Sequence, residues 1–87
     1  MADQITSIVV PEKPQTLVSS SSVEGYHYND TTYELFVFYK GKAGKAGSLY
    51  RYLMVYPVVF AQIFNSGQGI GNKAQKLLKG LPYQKIR

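Results

Sequence analysis

The chain has 87 residues, 45% of them hydrophobic and 14% aromatic, and no cysteine. That is enough apolar mass for one folded domain, and it excludes both a disordered tail and a disulfide-held scaffold. The net charge is +5, with all five acids (Asp3, Glu12, Glu24, Asp30, Glu34) ahead of residue 40 and nine basic residues, without one acid, from Lys40 to Arg87. A positive face of this kind suits a polyanion; an acidic protein surface or ordinary solubility charge accounts for it equally well. The opening MADQITSIVV lacks a basic flank, a long apolar run and a cleavage site, and no stretch approaches the roughly 18 apolar residues of a membrane span. The expectation is a soluble, cytoplasmic chain with no membrane partner. A domain this small without disulfides commonly gains support from self-association, so a homo-oligomer is expected.

Residues 1–17 carry scattered charge, two prolines and one β-branched run. They read as an N-terminal arm, with an edge strand at Ile8-Val9-Val10 ended by Pro11. Removing the arm is expected to leave the domain, residues 18–87, folded. Val23–Tyr28 reads as a strand, Asn29-Asp30-Thr31-Thr32 as a turn, and Tyr33–Tyr39 as a second strand. Alternation puts Leu35, Val37 and Tyr39 on one face of that strand and Phe36 and Phe38 on the other. A strand apolar on both sides sits centrally in its sheet, or has one face on the core and the other on a ligand or a second subunit; in the second case Phe36 and Phe38 are the contact. Gly41–Gly47 is a loop with Lys42 and Lys45. Ser48–Val55 is a third strand, with Tyr50, Tyr52 and Met54 on one face and Leu49, Arg51, Leu53 and Val55 on the other.

Pro57 suits the first turn of a helix with the body Val58–Phe64, closed by Gly67 or Gly69. A second helix over Asn72–Lys79 turns Ala74, Leu77 and Leu78 inward and carries Lys73, Lys76 and Lys79 along its outer edge. Gly80 and Pro82 end it, and Leu81-Tyr83-Ile86 returns along the sheet. The class is α+β: a three-stranded antiparallel β-meander, two short helices and a short extended C-terminal tail.

The order Val23-x-Gly25-Tyr26, Leu35-x-Val37-x-Tyr39, Tyr50-x-Tyr52-x-x-Val55 and Pro57 resembles the KTSC domain. So do Ser66-Gly67-x-Gly69, Asn72 and the closing Pro82-Tyr83-x-Lys85-Ile86. That family comprises small α+β domains, alone in bacteria and their phages or fused to some lysyl-tRNA synthetases. The resemblance covers residues 18–87 and implies a nucleic-acid-binding role in a solitary, phage-like module, acting in the host cytoplasm or carried in a virion. Two departures fall at candidate ligand loops: Gly41–Gly47 replaces the family's usual short turn, and Ile70 stands before Gly71-Asn72 where an aromatic is frequent.

The inventory for catalysis is thin: one His, no Cys and five carboxylates. His27, between Tyr26 and Tyr28 on a strand, reads as a surface or interface residue, because no acid–base partner shares its face nearby. No metal-ligand set or cofactor fingerprint can be assembled. Gly67-Gln68-Gly69-Ile70-Gly71 follows a helix rather than a strand, so it reads as a connector needing positive φ, not a nucleotide loop. The tyrosines carry the stronger signal, with six of the eight (Tyr26, Tyr28, Tyr33, Tyr39, Tyr50, Tyr52) on the expected strands. Exposed rings there would stack on bases while basic side chains hold phosphates. The candidate nucleic-acid or nucleotide site is therefore Tyr26, Tyr28, Lys42, Lys45, Tyr50, Arg51, Tyr52, Lys73 and Lys76. The expectation is a non-enzymatic binding module; the alternative is a phage structural or host-factor-binding protein acting through assembly.

Overall fold

The computed structural model describes residues 10–42 and 47–87. Ile8, Val9 and Lys45 lie outside them, so the edge strand expected at Ile8–Val10 and half of the basic loop are not described. The elements in order are β1 (Thr16–Leu17), β2 (Val23–Asn29), β3 (Glu34–Tyr39), β4 (Leu49–Tyr52), α1 (Pro57–Phe64), α2 (Ile70–Leu78) and β5 (Tyr83–Lys85). The strands form one antiparallel sheet in the order β1-β2-β3-β4-β5. The α+β class stands, but the sheet has five strands rather than three. The two additions, of two and three residues, are too short to show a period of their own, and both owe their existence to a neighbouring strand.

The β2–β3 hairpin turns where the polar run predicts. Asn29 Oδ1 accepts the backbone N–H groups of Thr31 (2.9 Å) and Thr32 (3.2 Å), and its carbonyl accepts Tyr33 N–H at 2.8 Å. Tyr33 closes the turn at φ 62°. A register shift between Val23 and Gly25 changes the alternation of β2. Val23 thereby joins the helix-side core with Leu35 and Val37, while Gly25 pairs with Phe38 on the other face. Gly25 has to be glycine, because a β-carbon there would run into the carbonyl of Thr16 and the ring of Pro14.

β4 ends at Tyr52, three residues earlier than the alternation suggests, because Met54 turns the chain at φ 63°. Leu53 N–H then bonds to Pro82 O, and Val55 N–H to Tyr33 O, both at 2.9 Å. Pro57 starts α1, as expected from its fixed φ and missing donor. α2 begins at Ile70, with Gly69 at φ 61° in the position before it. Its buried stripe is Ile70, Ala74 and Leu78, spaced by four; Leu77, expected inside, is 36% exposed.

Both helices cover one face of the sheet, over Val23, Leu35, Val37, Val55, Ile63, Phe64, Ile70, Ala74 and Leu78. The opposite face holds a second cluster, Phe36, Phe38 and Leu49, with Val10 and Ile86 packed against it. Phe36 and Phe38 are only 5% and 3% exposed, so the open contact expected of them is filled from within the chain. Burial of such rings is worth about 1.5–3 kcal/mol each. Among the described residues, no helix is long and apolar enough to cross a membrane.

Candidate functional site

The antiparallel register fixes which tyrosines meet. Val37 lies opposite Tyr50, Leu35 opposite Tyr52, and Tyr52 in turn opposite Tyr83, so all share the helix-side face. The helices do not span that face fully. Beyond α2, Tyr39, Tyr50, Tyr52 and Tyr83 form a continuous aromatic floor. Tyr50 stacks near-parallel to Tyr52 (centroids 6.0 Å, 17°), meets Tyr39 edge-on (5.6 Å, 87°) and leans on Tyr83 (5.8 Å). Tyr52 and Tyr83 lie 6.0 Å apart. The hydroxyls of Tyr39 and Tyr52 share a hydrogen bond of 3.2 Å.

This floor and the flank of α2 (Gln75, Leu78, Lys79) enclose a groove of about 540 Å³, with Ser48 also on its lining. That volume lies within the ordinary range for small-molecule sites. Among the described residues lining it, Lys79 is the one charged side chain, and no carboxylate is present. Burial raises the pKa values of Tyr39 and Tyr52 above the ordinary phenol value; for Tyr52 its hydrogen bond with Tyr39 adds to the rise, while for Tyr39 the same bond opposes it. Both phenols therefore stay neutral donors at physiological pH. A second cleft, of about 330 Å³, adjoins the first through their shared residues Tyr39 and Gln75. It is lined by Ser19–Ser22 and by residues 69–72 at the start of α2. Gly71 permits that closeness, since a β-carbon there would collide with Ser22 Oγ.

Of the residues singled out from sequence, Tyr50 and Tyr52 line the groove. Tyr26 and Tyr28 do not: they pack under α1, Tyr28 stacked on Phe60 (4.1 Å, 6°) and Tyr26 against Phe60 and Phe64. Tyr28 also donates its hydroxyl to Val55 O at 2.6 Å. Arg51 lies on the opposite face, where its Nε donates to Glu34 Oε2 at 2.7 Å and a second guanidinium nitrogen pairs with the same oxygen. Lys73 bonds to Ser66 Oγ at 2.7 Å, across the α1–α2 connection. Lys42 and Lys76 are exposed, outside the groove lining, and Lys45 lies outside the described residues. His27 sits edge-on to Phe36 on the second face. No group of three metal-ligating side chains occurs among the described residues.

The groove adds Tyr39, Gln75, Lys79 and Tyr83 to the sequence-derived set. Tyr39 and Lys79 were visible as a strand tyrosine and a helix-edge lysine, but only the β4–β5 pairing brings Tyr83 beside them. No family model matches the chain, and no curated protein matches it.

Proposed function

We propose that the chain is a non-enzymatic binding module whose tyrosine groove takes a base-bearing anion, a single strand of RNA or a nucleotide. The carrying observation is the connected floor of four tyrosines, with Tyr50 and Tyr52 each meeting the other three, beside Lys79 and with no carboxylate among the described lining residues. Aromatic faces accept any base by stacking, worth about 1–3 kcal/mol per base. The neutral phenols and Gln75 supply hydrogen bonds, and Lys79 supplies the phosphate's counter-charge. Lys85, opposite Tyr50 on the edge strand β5, extends the basic rim on the same face. The resemblance to the KTSC domain points the same way, toward a phage-type solitary module working in the host cytoplasm.

The test is fluorescence anisotropy with a short labelled single-stranded RNA, repeated at several salt concentrations and in competition with free nucleotides. Binding is expected to weaken as salt rises. Replacing Tyr50 and Tyr83 with Ala should cost at least tenfold, on the stacking energy above. Arg51→Gln, on the far face, should leave affinity unchanged. Absence of binding at low salt, or equal loss in Arg51→Gln, would overturn the reading.

A further inference from the structure

The tyrosine groove does not end at Tyr39. The serine-lined cleft begins there, and Tyr39 and Gln75 line both, so the two make one trough along the flank of α2. Its lining runs from Gly69, before the helix, to Gly80, just beyond it. Nine helical residues rise about 13 Å, several times the ~3.4 Å that one nucleotide takes along a stacked strand. The trough is longer than a single nucleotide needs.

The walls of the serine cleft are held in place. Ser20 Oγ accepts the backbone N–H groups of Ser22 and Val23, both at 3.2 Å. Lys40 N–H donates to Ser22 O at 2.8 Å, which ties the serine run to the end of β3. Ser19, Ser21, Asn72 and Gln75 are left as exposed, uncharged polar side chains on the lining. They offer hydrogen bonds without a net charge.

Charge selects the class of ligand. Among the described residues lining the two clefts, Lys79 is the one charged side chain, and neither cleft has a carboxylate. A backbone phosphodiester carries one negative charge, which one lysine balances. A terminal phosphate carries about −1.5 to −2 at neutral pH, and a di- or triphosphate tail carries more. Such tails are commonly bound with Mg²⁺ held through protein carboxylates, which this lining does not supply. Resting on the base-binding reading above, we propose that the serine cleft is a second nucleotide subsite. The trough then takes adjacent nucleotides of a phosphodiester-linked strand, not a nucleoside polyphosphate. One base lies on the tyrosine floor, Lys79 meets a backbone phosphate, and the neighbouring nucleotide bonds to Ser19, Ser21 and Asn72.

Competition against a short labelled single-stranded RNA tests this. The dinucleoside monophosphate of adenosine should displace it at least about tenfold more strongly than adenosine monophosphate, the gain expected of about two added hydrogen bonds. Adenosine triphosphate should do no better than the monophosphate. Asn72→Asp places a carboxylate in the serine cleft, in the first turn of α2, where an acid favours the helix and the fold is kept. It should abolish the dinucleotide's advantage. Gln84→Glu makes the same change of net charge beside Arg51 on the far face and should preserve that advantage. A dinucleotide no better than the monophosphate, a triphosphate better than both, or an advantage that survives Asn72→Asp would overturn the second subsite while the groove reading stands. Labelled RNA that does not bind at all removes both.

Discussion

Tyr52 shows how one residue serves both fold and site. Its ring floors the groove between Tyr50 and Tyr83, and its hydroxyl is tied to that of Tyr39. Burial and that hydrogen bond raise its pKa above the ordinary phenol value of about 10. The unfolded chain therefore loses these protons first as pH climbs. Between the unfolded and folded values the native state binds more protons, so stability is complete below about pH 10 and falls above it. The denaturant midpoint should drop through the alkaline range, and Tyr52→Phe should flatten that drop. A midpoint that stays level above pH about 10 would show that Tyr52 ionises in the native groove. Tyr26 and Tyr28 make the contrasting case. Their composition and strand position match those of Tyr50 and Tyr52, yet α1 covers them through Phe60 and Phe64. Which tyrosines a helix covers depends on how far across the sheet it sits, and local alternation carries no record of that.

Among the elements, the central strands and both helices were legible because each has its own signal: the alternating run of β3, the Asn-Asp-Thr-Thr turn, Pro57, and the glycines after each helix. β1 has no such signal, and β5 was legible only as an extended tail returning along the sheet after Pro82. The shift at Gly25 was hidden too, since nothing in Val23-Glu24-Gly25 marks a change of face. Residues 10–17 then prove closely tied to the sheet. Gln15 N–H bonds to Tyr26 O at 2.8 Å, Thr16 and Leu17 pair with β2, and Val10 packs on Phe36, Phe38 and Leu49. Deleting residues 1–17 should therefore lower stability by about 2 kcal/mol or more, since uncovering even one such ring costs that much. Urea unfolding, read by far-ultraviolet circular dichroism, measures it. A truncated chain with the same midpoint would show that Phe36 and Phe38 find other cover.

For the whole molecule, the charge pattern of the sequence translates only in part into a surface. Lys79 reaches the groove and Lys85 its rim, but Arg51 is taken up by Glu34 on the far face and Lys73 by Ser66. The acids that looked separate from the basic half thus neutralise one of its members.

The order of the sheet has a kinetic consequence. β1 to β4 follow one another with loops alone between them, whereas β4 meets β5 only after both helices have intervened. Closing that long loop costs more chain entropy, and little is recovered until α1 and α2 are docked. The hairpin around Asn29–Tyr33 is placed to nucleate, and Tyr83 arrives last. Substitutions at Leu35 or Val37 should slow folding, while those at Tyr83 should mainly hasten unfolding. The aromatic floor is then completed only at the final step, so an intermediate lacking β5 holds a nearly finished sheet without the Tyr83 edge of the groove.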